Sequence, residues 1–72
     1  MTIKDFTVEK NGRKFLYESV KEDERPIVRY TSRGLSNLWV KYEMCDGQRK
    51  RISSIFIRRT ASRSRIISVF GG

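Results

Sequence analysis

The sequence contains no histidine and only one cysteine, Cys45, among its 72 residues. A single cysteine cannot form an internal disulfide, and a structural zinc site needs four suitably spaced ligands. General acid–base catalysis usually requires histidine or two carboxylates in a shared pocket. Cys45 has no histidine to activate it as a nucleophile. We therefore expect no enzymatic activity, no metal site and no cofactor.

Long apolar runs are also missing. No segment approaches the roughly 20 apolar residues that span a membrane, and the first ten residues, MTIKDFTVEK, lack the apolar core of a signal peptide. A lone thiol without an export signal is typical of a reducing compartment. We predict no membrane partner and a cytoplasmic location, or the cytoplasm of a host cell if the protein is viral.

The chain is short for a protein without disulfides or metals. Its 72 residues predict a single small basic domain over residues 1–72, close to the size at which one core becomes marginal. Self-association or a larger partner would add stability, and a homo-oligomer is one form this could take.

Acidic residues are absent after Asp46, whereas basic residues continue to Arg65. Residues 1–25 carry six basic and six acidic side chains, so the net charge of +8 comes from residues 26–72, with ten basic side chains and two acidic ones. This asymmetry indicates an anionic partner. Nucleic acid is the commonest such partner, and an acidic protein surface is the second possibility.

The best local signal for structure is a hairpin over residues 5–20. Asn11-Gly12 is the preferred pair for a two-residue type I′ turn. Closing the turn there pairs Val8 with Phe15 and places Phe6 opposite Tyr17, so that apolar side chains share one face. A helix over residues 13–24 is the less favoured alternative.

Further strands are predicted over residues 26–33 and 64–70 from their β-branched and aromatic content. Residues 35–45 fit two patterns. Leu35, Leu38, Trp39 and Tyr42 have helical spacing, but alternation fits as well, and Asp46-Gly47 followed by QRKRISSIFIRR resembles a hairpin return. A strand is favoured there, and the register across Asp46-Gly47 stays open.

These elements predict a mostly β protein, either a small antiparallel sheet or a five- to six-stranded barrel of OB-like or SH3-like type. One short helix around residues 35–45 is the alternative for that segment. Alternation within residues 51–59 would place Arg51 on the face of Ile55 and Ile57, with Phe56 and Arg58 on the other, and the charges should collect along one rim of the sheet.

The basic residues form the predicted site because the planar guanidinium group binds phosphate bidentately and stacks on bases. Nearby serine and threonine hydroxyls would add hydrogen bonds to phosphate or sugar. Trp39 could stack on a base if exposed, although filling the core is the favoured interpretation for it. The predicted nucleic-acid-binding residues are Arg29, Arg33, Trp39, Lys41, Arg49, Lys50, Arg51, Arg58, Arg59, Arg63 and Arg65.

The sequence thus favours a non-catalytic domain that binds DNA or RNA through phosphate contacts. The alternative is a small accessory or inhibitor protein, of the kind a phage or mobile element encodes, that binds an acidic surface of a larger protein. Charge runs on solvated strand edges also occur without any ligand, as protection against edge-to-edge aggregation.

Overall fold

The structure is a computed structural model that describes residues 3–32 and 34–71. In these ranges the chain forms strands and one short helix at its carboxyl-terminal end. Their bounds are β1 (Phe6–Lys10), β2 (Arg13–Ser19), β3 (Lys21–Glu22), β4 (Arg25–Pro26), β5 (Val28–Thr31), β6 (Gly34–Cys45), β7 (Gln48–Arg58) and α1 (Arg63–Val69).

The first hairpin has the predicted register. β1 pairs with β2, with Phe6 opposite Tyr17 and Val8 opposite Phe15. Asn11 and Gly12 have φ values of 52° and 75°, as a type I′ turn requires. The hairpin prediction is confirmed.

β2 and β5 lie along the same edge of β6. β2 pairs with the later part of β6, and β5 pairs with its beginning, where Val28 faces Asn37. Between them the chain leaves the sheet as the small β3–β4 hairpin. Three backbone hydrogen bonds among Val20, Ile27 and Leu38 close the gap, including one from the Ile27 N–H to the Val20 carbonyl at 3.1 Å. The predicted third strand is therefore shorter than 26–33 and begins only after this excursion.

β6 is a 12-residue central strand with β7 on its other edge. The strand prediction for residues 35–45 is confirmed, and the alternative of a helix there is wrong. The five-stranded sheet is antiparallel and does not close. Of the two predicted architectures, the small sheet is the one observed, and the barrel is not.

The predicted last strand is a helix instead. The β-branched and aromatic content favoured a strand over residues 64–70, but Arg63–Val69 forms α1, whose N-cap is Ser62. The Ser62 hydroxyl accepts a hydrogen bond from the Arg65 N–H at 3.3 Å. Ile66, Val69 and Phe70 have spacings of three and four residues, which brings them to one side of a helix. Burial of that side against the sheet outweighs the β propensity of Ile66, Ile67 and Val69.

The helix packs on one side of the sheet, which we call the covered face. Ile66 is only 1% exposed there and belongs to one core cluster with Phe6, Tyr17, Trp39 and Ile57. The rings of Phe6 and Tyr17 stack with centroids 5.0 Å apart, and the Phe70 ring meets Tyr17 edge-on. The other side of the sheet is called the open face.

β7 contains an irregularity that changes which side chains share a face. Lys41 of β6 faces Ser53, but the next residue, Tyr42, faces Arg51, so Ile52 is an extra residue in β7. The bulge reverses the alternation for the residues before it. Arg51 therefore lies on the open face with Phe56 and Arg58, and the predicted grouping of Arg51 with Ile55 and Ile57 is wrong.

Candidate nucleic-acid interface

Four of the predicted arginines lie on the open face. The register places Arg58 and Arg29 opposite Ser36 from its two sides, and it places Arg51 opposite Tyr42 and Arg49 opposite Met44. All four are exposed. They lie in two pairs near the two ends of the face, not along the single rim that the sequence predicted.

The strip between these pairs is apolar and aromatic. Leu38, Tyr42 and Phe56 are half-buried on it, and Val40 at its centre is only 4% exposed. The Arg29 guanidinium carbon lies 4.4 Å from the centroid of the Phe56 ring, and the Arg49 carbon lies 5.3 Å from that of Tyr42. The two aromatic rings of the open face are therefore each in contact with an arginine.

Two of these arginines, Arg49 and Arg51, also make weak contacts at the surface. Arg49 forms an ion pair with Glu18 at 3.2 Å, and Arg51 donates to the Ser54 hydroxyl at 2.8 Å. Exposed ion pairs of this kind contribute only about 0–1 kcal/mol. A phosphate can therefore compete for both guanidinium groups at little cost.

Both predicted lysines lie on the covered face. Lys50 lies opposite Glu43, and Lys41 lies opposite Tyr17 and Ser53. The Lys41 ammonium lies 4.7 Å from the Phe15 ring centroid and 5.6 Å from that of Tyr17. These two lysines do not share a surface with the four arginines of the open face.

The acidic residue Glu43 also reduces the positive charge of the covered face. Arg13 donates two hydrogen bonds to the Glu43 carboxylate, at 2.7 and 2.8 Å. These hydrogen bonds hold the pKa of Glu43 below its usual value and raise the pKa of Arg13. Glu43 thus neutralises one basic side chain of the covered face, which also carries Lys41 and Lys50.

Three further predicted arginines, Arg59, Arg63 and Arg65, follow β7 or lie on α1. The Arg63 guanidinium carbon lies 5.4 Å from the Phe6 ring centroid. Arg59 is exposed, and its N–H donates to the Leu35 carbonyl. Arg65 lines a cleft of about 620 Å³ together with Arg58, Phe56 and Ser62. Arg33 lies outside the described residues.

Trp39 does not fit the stacking role that the sequence allowed for it. It is 2% exposed within the core cluster under α1, so no base can reach its ring. The core interpretation is correct because Trp39 lies at the middle of β6, on the face that α1 covers. The exposed aromatic ring is Tyr30, which is 82% exposed on β5.

The sequence did not single out Asn37, which is completely buried on the covered face. Among the described residues, its amide oxygen and nitrogen have no hydrogen-bond partner. An asparagine within a predicted strand was the only signal available for it.

Within residues 3–32 and 34–71, no three His, Cys, Asp or Glu side chains cluster as metal ligands would. No helix in these ranges has the length and apolar character to cross a membrane. Comparison with protein-family models, with curated proteins and with solved structures finds no match to this chain.

Proposed function

We propose that the protein is a non-catalytic nucleic-acid-binding domain of the cytoplasm that contacts phosphates through the open face. The observation that carries the proposal is the placement of Arg29, Arg49, Arg51 and Arg58 on one side of the sheet. Glu18 forms an ion pair with one of them, Arg49. Arginine binds phosphate bidentately, and arginines at both ends of one face can contact separate phosphates of the same backbone.

The proposal predicts a steep dependence of affinity on salt. Neutralising about four phosphates gives a log–log slope near −3 on a single strand and near −4 on a duplex. Raising the salt concentration from about 50 to about 200 mM would then weaken binding roughly 50-fold or more. Fluorescence anisotropy with labelled DNA and RNA measures this directly, and no binding at about 50 mM salt would overturn the proposal.

Two adjacent basic residues provide a matched test of the surface. Arg51 lies on the open face, whereas Lys50 lies on the covered face opposite Glu43. Arg51→Ala should weaken binding several-fold and reduce the steepness of the salt dependence by about one. Lys50→Ala removes the same charge and should have a much smaller effect. Equal effects of the two substitutions would show that net charge, and not the open face, governs binding.

A second candidate function is docking on an acidic surface of a larger protein, as an accessory or inhibitor protein would do. The apolar strip around Val40 favours it, because buried aromatic and apolar contacts flanked by arginine are typical of protein interfaces. A single stoichiometric partner that is retained after nuclease treatment and weakened by Arg51→Ala would support this function. Loss of all partners after nuclease treatment would favour nucleic acid.

A further inference from the structure

We propose that the nucleic acid is single-stranded and that its bases stack at Phe56 and Tyr42 on the open face. This inference rests on the proposed function, since it identifies the form of nucleic acid that the same surface binds. It adds a role for the apolar strip, which phosphate contacts alone leave unexplained.

The spacing of the side chains suits an extended strand. On β7, Arg49 and Arg58 are nine residues apart, with one residue in a bulge, so they are separated by roughly 30 Å. Phe56 lies opposite Leu38, and Tyr42 is four residues further along β6, which separates the two rings by about 13 Å along the strand direction. The order along the face is therefore cation, ring, ring, cation. Basic side chains interleaved with aromatic rings are typical of single-strand binding surfaces.

A duplex would use this surface poorly. It presents phosphates and sugars outward and keeps its bases stacked inside, so the apolar strip around Val40 would be buried against charged backbone. A helix that reads the major groove is also missing from the described residues, because α1 has seven residues and buries Ile66 in the core. An unpaired strand can instead turn the flat faces of its bases toward the strip.

The arginines above the two rings fit this role. Arg29 lies over Phe56 and Arg49 lies over Tyr42 in the free protein. A base can stack on a guanidinium plane, or it can replace the guanidinium over the ring. In the second case the displaced arginine becomes available to a neighbouring phosphate, so its interaction with the ring is replaced by an ion pair.

The first experiment compares three ligands of about 10 nucleotides, a length within the usual site size of ~4–16. They are a single strand, a duplex of the same sequence, and a single strand whose bases are replaced by abasic sites. The abasic strand keeps the phosphates, and loss of each stacked base should weaken binding roughly 5- to 150-fold. We expect the normal single strand to bind more tightly than both other ligands, in DNA and RNA series alike.

The second experiment removes the rings and keeps apolar side chains in their place. Phe56→Leu and Tyr42→Leu should each weaken single-strand binding about fivefold or more and leave the affinity for the abasic strand unchanged. Tyr30→Leu is the control, since this exposed ring lies on β5 opposite Leu35, away from the open face. Fluorescence of the buried Trp39 shows whether each variant is folded.

The possible failures are distinguishable. If the duplex and the abasic strand bind as tightly as the normal single strand, the inference is wrong and the proposed phosphate-binding function stands. If no nucleic acid binds at about 50 mM salt, both fail. If folded Leu variants keep full affinity for the single strand, stacking at Phe56 and Tyr42 is excluded, whatever the preference among the three ligands.

Discussion

Arg13 and Glu43 are joined by two parallel hydrogen bonds across neighbouring strands, from Nε and Nη2 of the guanidinium to the two carboxylate oxygens, at 2.8 and 2.7 Å. The residues are 30 positions apart in sequence, in β2 and β6. The pair fixes the two strands to each other at the end of the sheet that carries the two tight turns. Bidentate geometry of this kind is the strongest form of an ion pair between side chains.

The pair makes stability dependent on pH. Hydrogen bonding by Arg13 lowers the pKa of Glu43 in the folded protein. A carboxylate with a lowered folded-state pKa contributes stability above its unfolded-state pKa of about 4.3 and loses that contribution as the pH falls through the folded-state value. Glu43→Gln should therefore destabilise the protein at pH 7, and its difference from the wild type should shrink below about pH 4. Urea denaturation at several pH values measures this, and a constant difference would contradict it.

Two turns of the protein predict opposite effects for adding a glycine and for removing one. Glu24 has φ 65° and follows Asp23 at φ 50° in the β3–β4 turn, where neither residue is glycine. A left-handed conformation costs a residue with a side chain about 1–2 kcal/mol. After the larger backbone entropy of glycine is subtracted, Glu24→Gly should stabilise by about 0.5 kcal/mol.

The reverse change is the matched control. Gly47 has φ 77° in the β6–β7 turn, so Gly47→Ala should destabilise by about 1 kcal/mol. Thermal denaturation of the two variants beside the wild type tests both signs. Two shifts of the same sign would show that backbone strain does not control these turns.

The helix should contribute a large part of the stability. Ile66 is 1% exposed between α1 and the sheet, and Ile66→Ala should cost about 2–5 kcal/mol. In a domain of this size that loss approaches the whole free energy of unfolding. Ile52→Ala, at a position 48% exposed in the β7 bulge, makes the same chemical change and should cost much less. Chemical denaturation measures the free energy of unfolding of both variants. Similar losses of stability would show that the packing of α1 on the sheet is not a main part of the core.

Replacing the buried Asn37 with an apolar residue should raise the stability of the protein. Its amide is buried without a partner among residues 3–32 and 34–71, and the desolvation of such a group costs about 1–3 kcal/mol. Asn37→Leu replaces the amide with an apolar side chain and should raise the free energy of unfolding by about 1 kcal/mol. Asn37→Asp, which buries a charge at the same place, should lower it. A clear loss of stability in the Leu variant would show that the amide oxygen or nitrogen is satisfied in solution.

The sequence predicted those parts of the fold that depend on local signals. Asn11-Gly12 determined the first hairpin and its register, and the alternation around Trp39 with the Asp46-Gly47 turn indicated the second. It failed for α1, because a seven-residue helix with three β-branched side chains has little intrinsic preference and depends on its contact with Tyr17, Trp39 and Ile57.

The arrangement of the candidate site was less accessible to sequence reasoning. The arginines were identified by composition, but the placement of Arg49 and Arg51 on the open face depends on the extra residue Ile52, for which no glycine or turn residue gives a signal. Without the bulge, Arg51 and Phe56 are assigned to opposite faces. Their actual placement on one face follows from pairing with β6, which is a property of the folded sheet.

The excursion of the β3–β4 hairpin has a practical consequence. Because the Ile27 N–H binds the Val20 carbonyl, the chain re-enters the sheet beside the point where it left. The register of β5 on β6 therefore does not depend on the number of residues between Val20 and Ile27. The exposed turn at Asp23-Glu24 can be lengthened without moving a strand of the five-stranded sheet. A peptide tag or a fluorophore-bearing loop could be inserted there without changing the strand pairing of the five-stranded sheet.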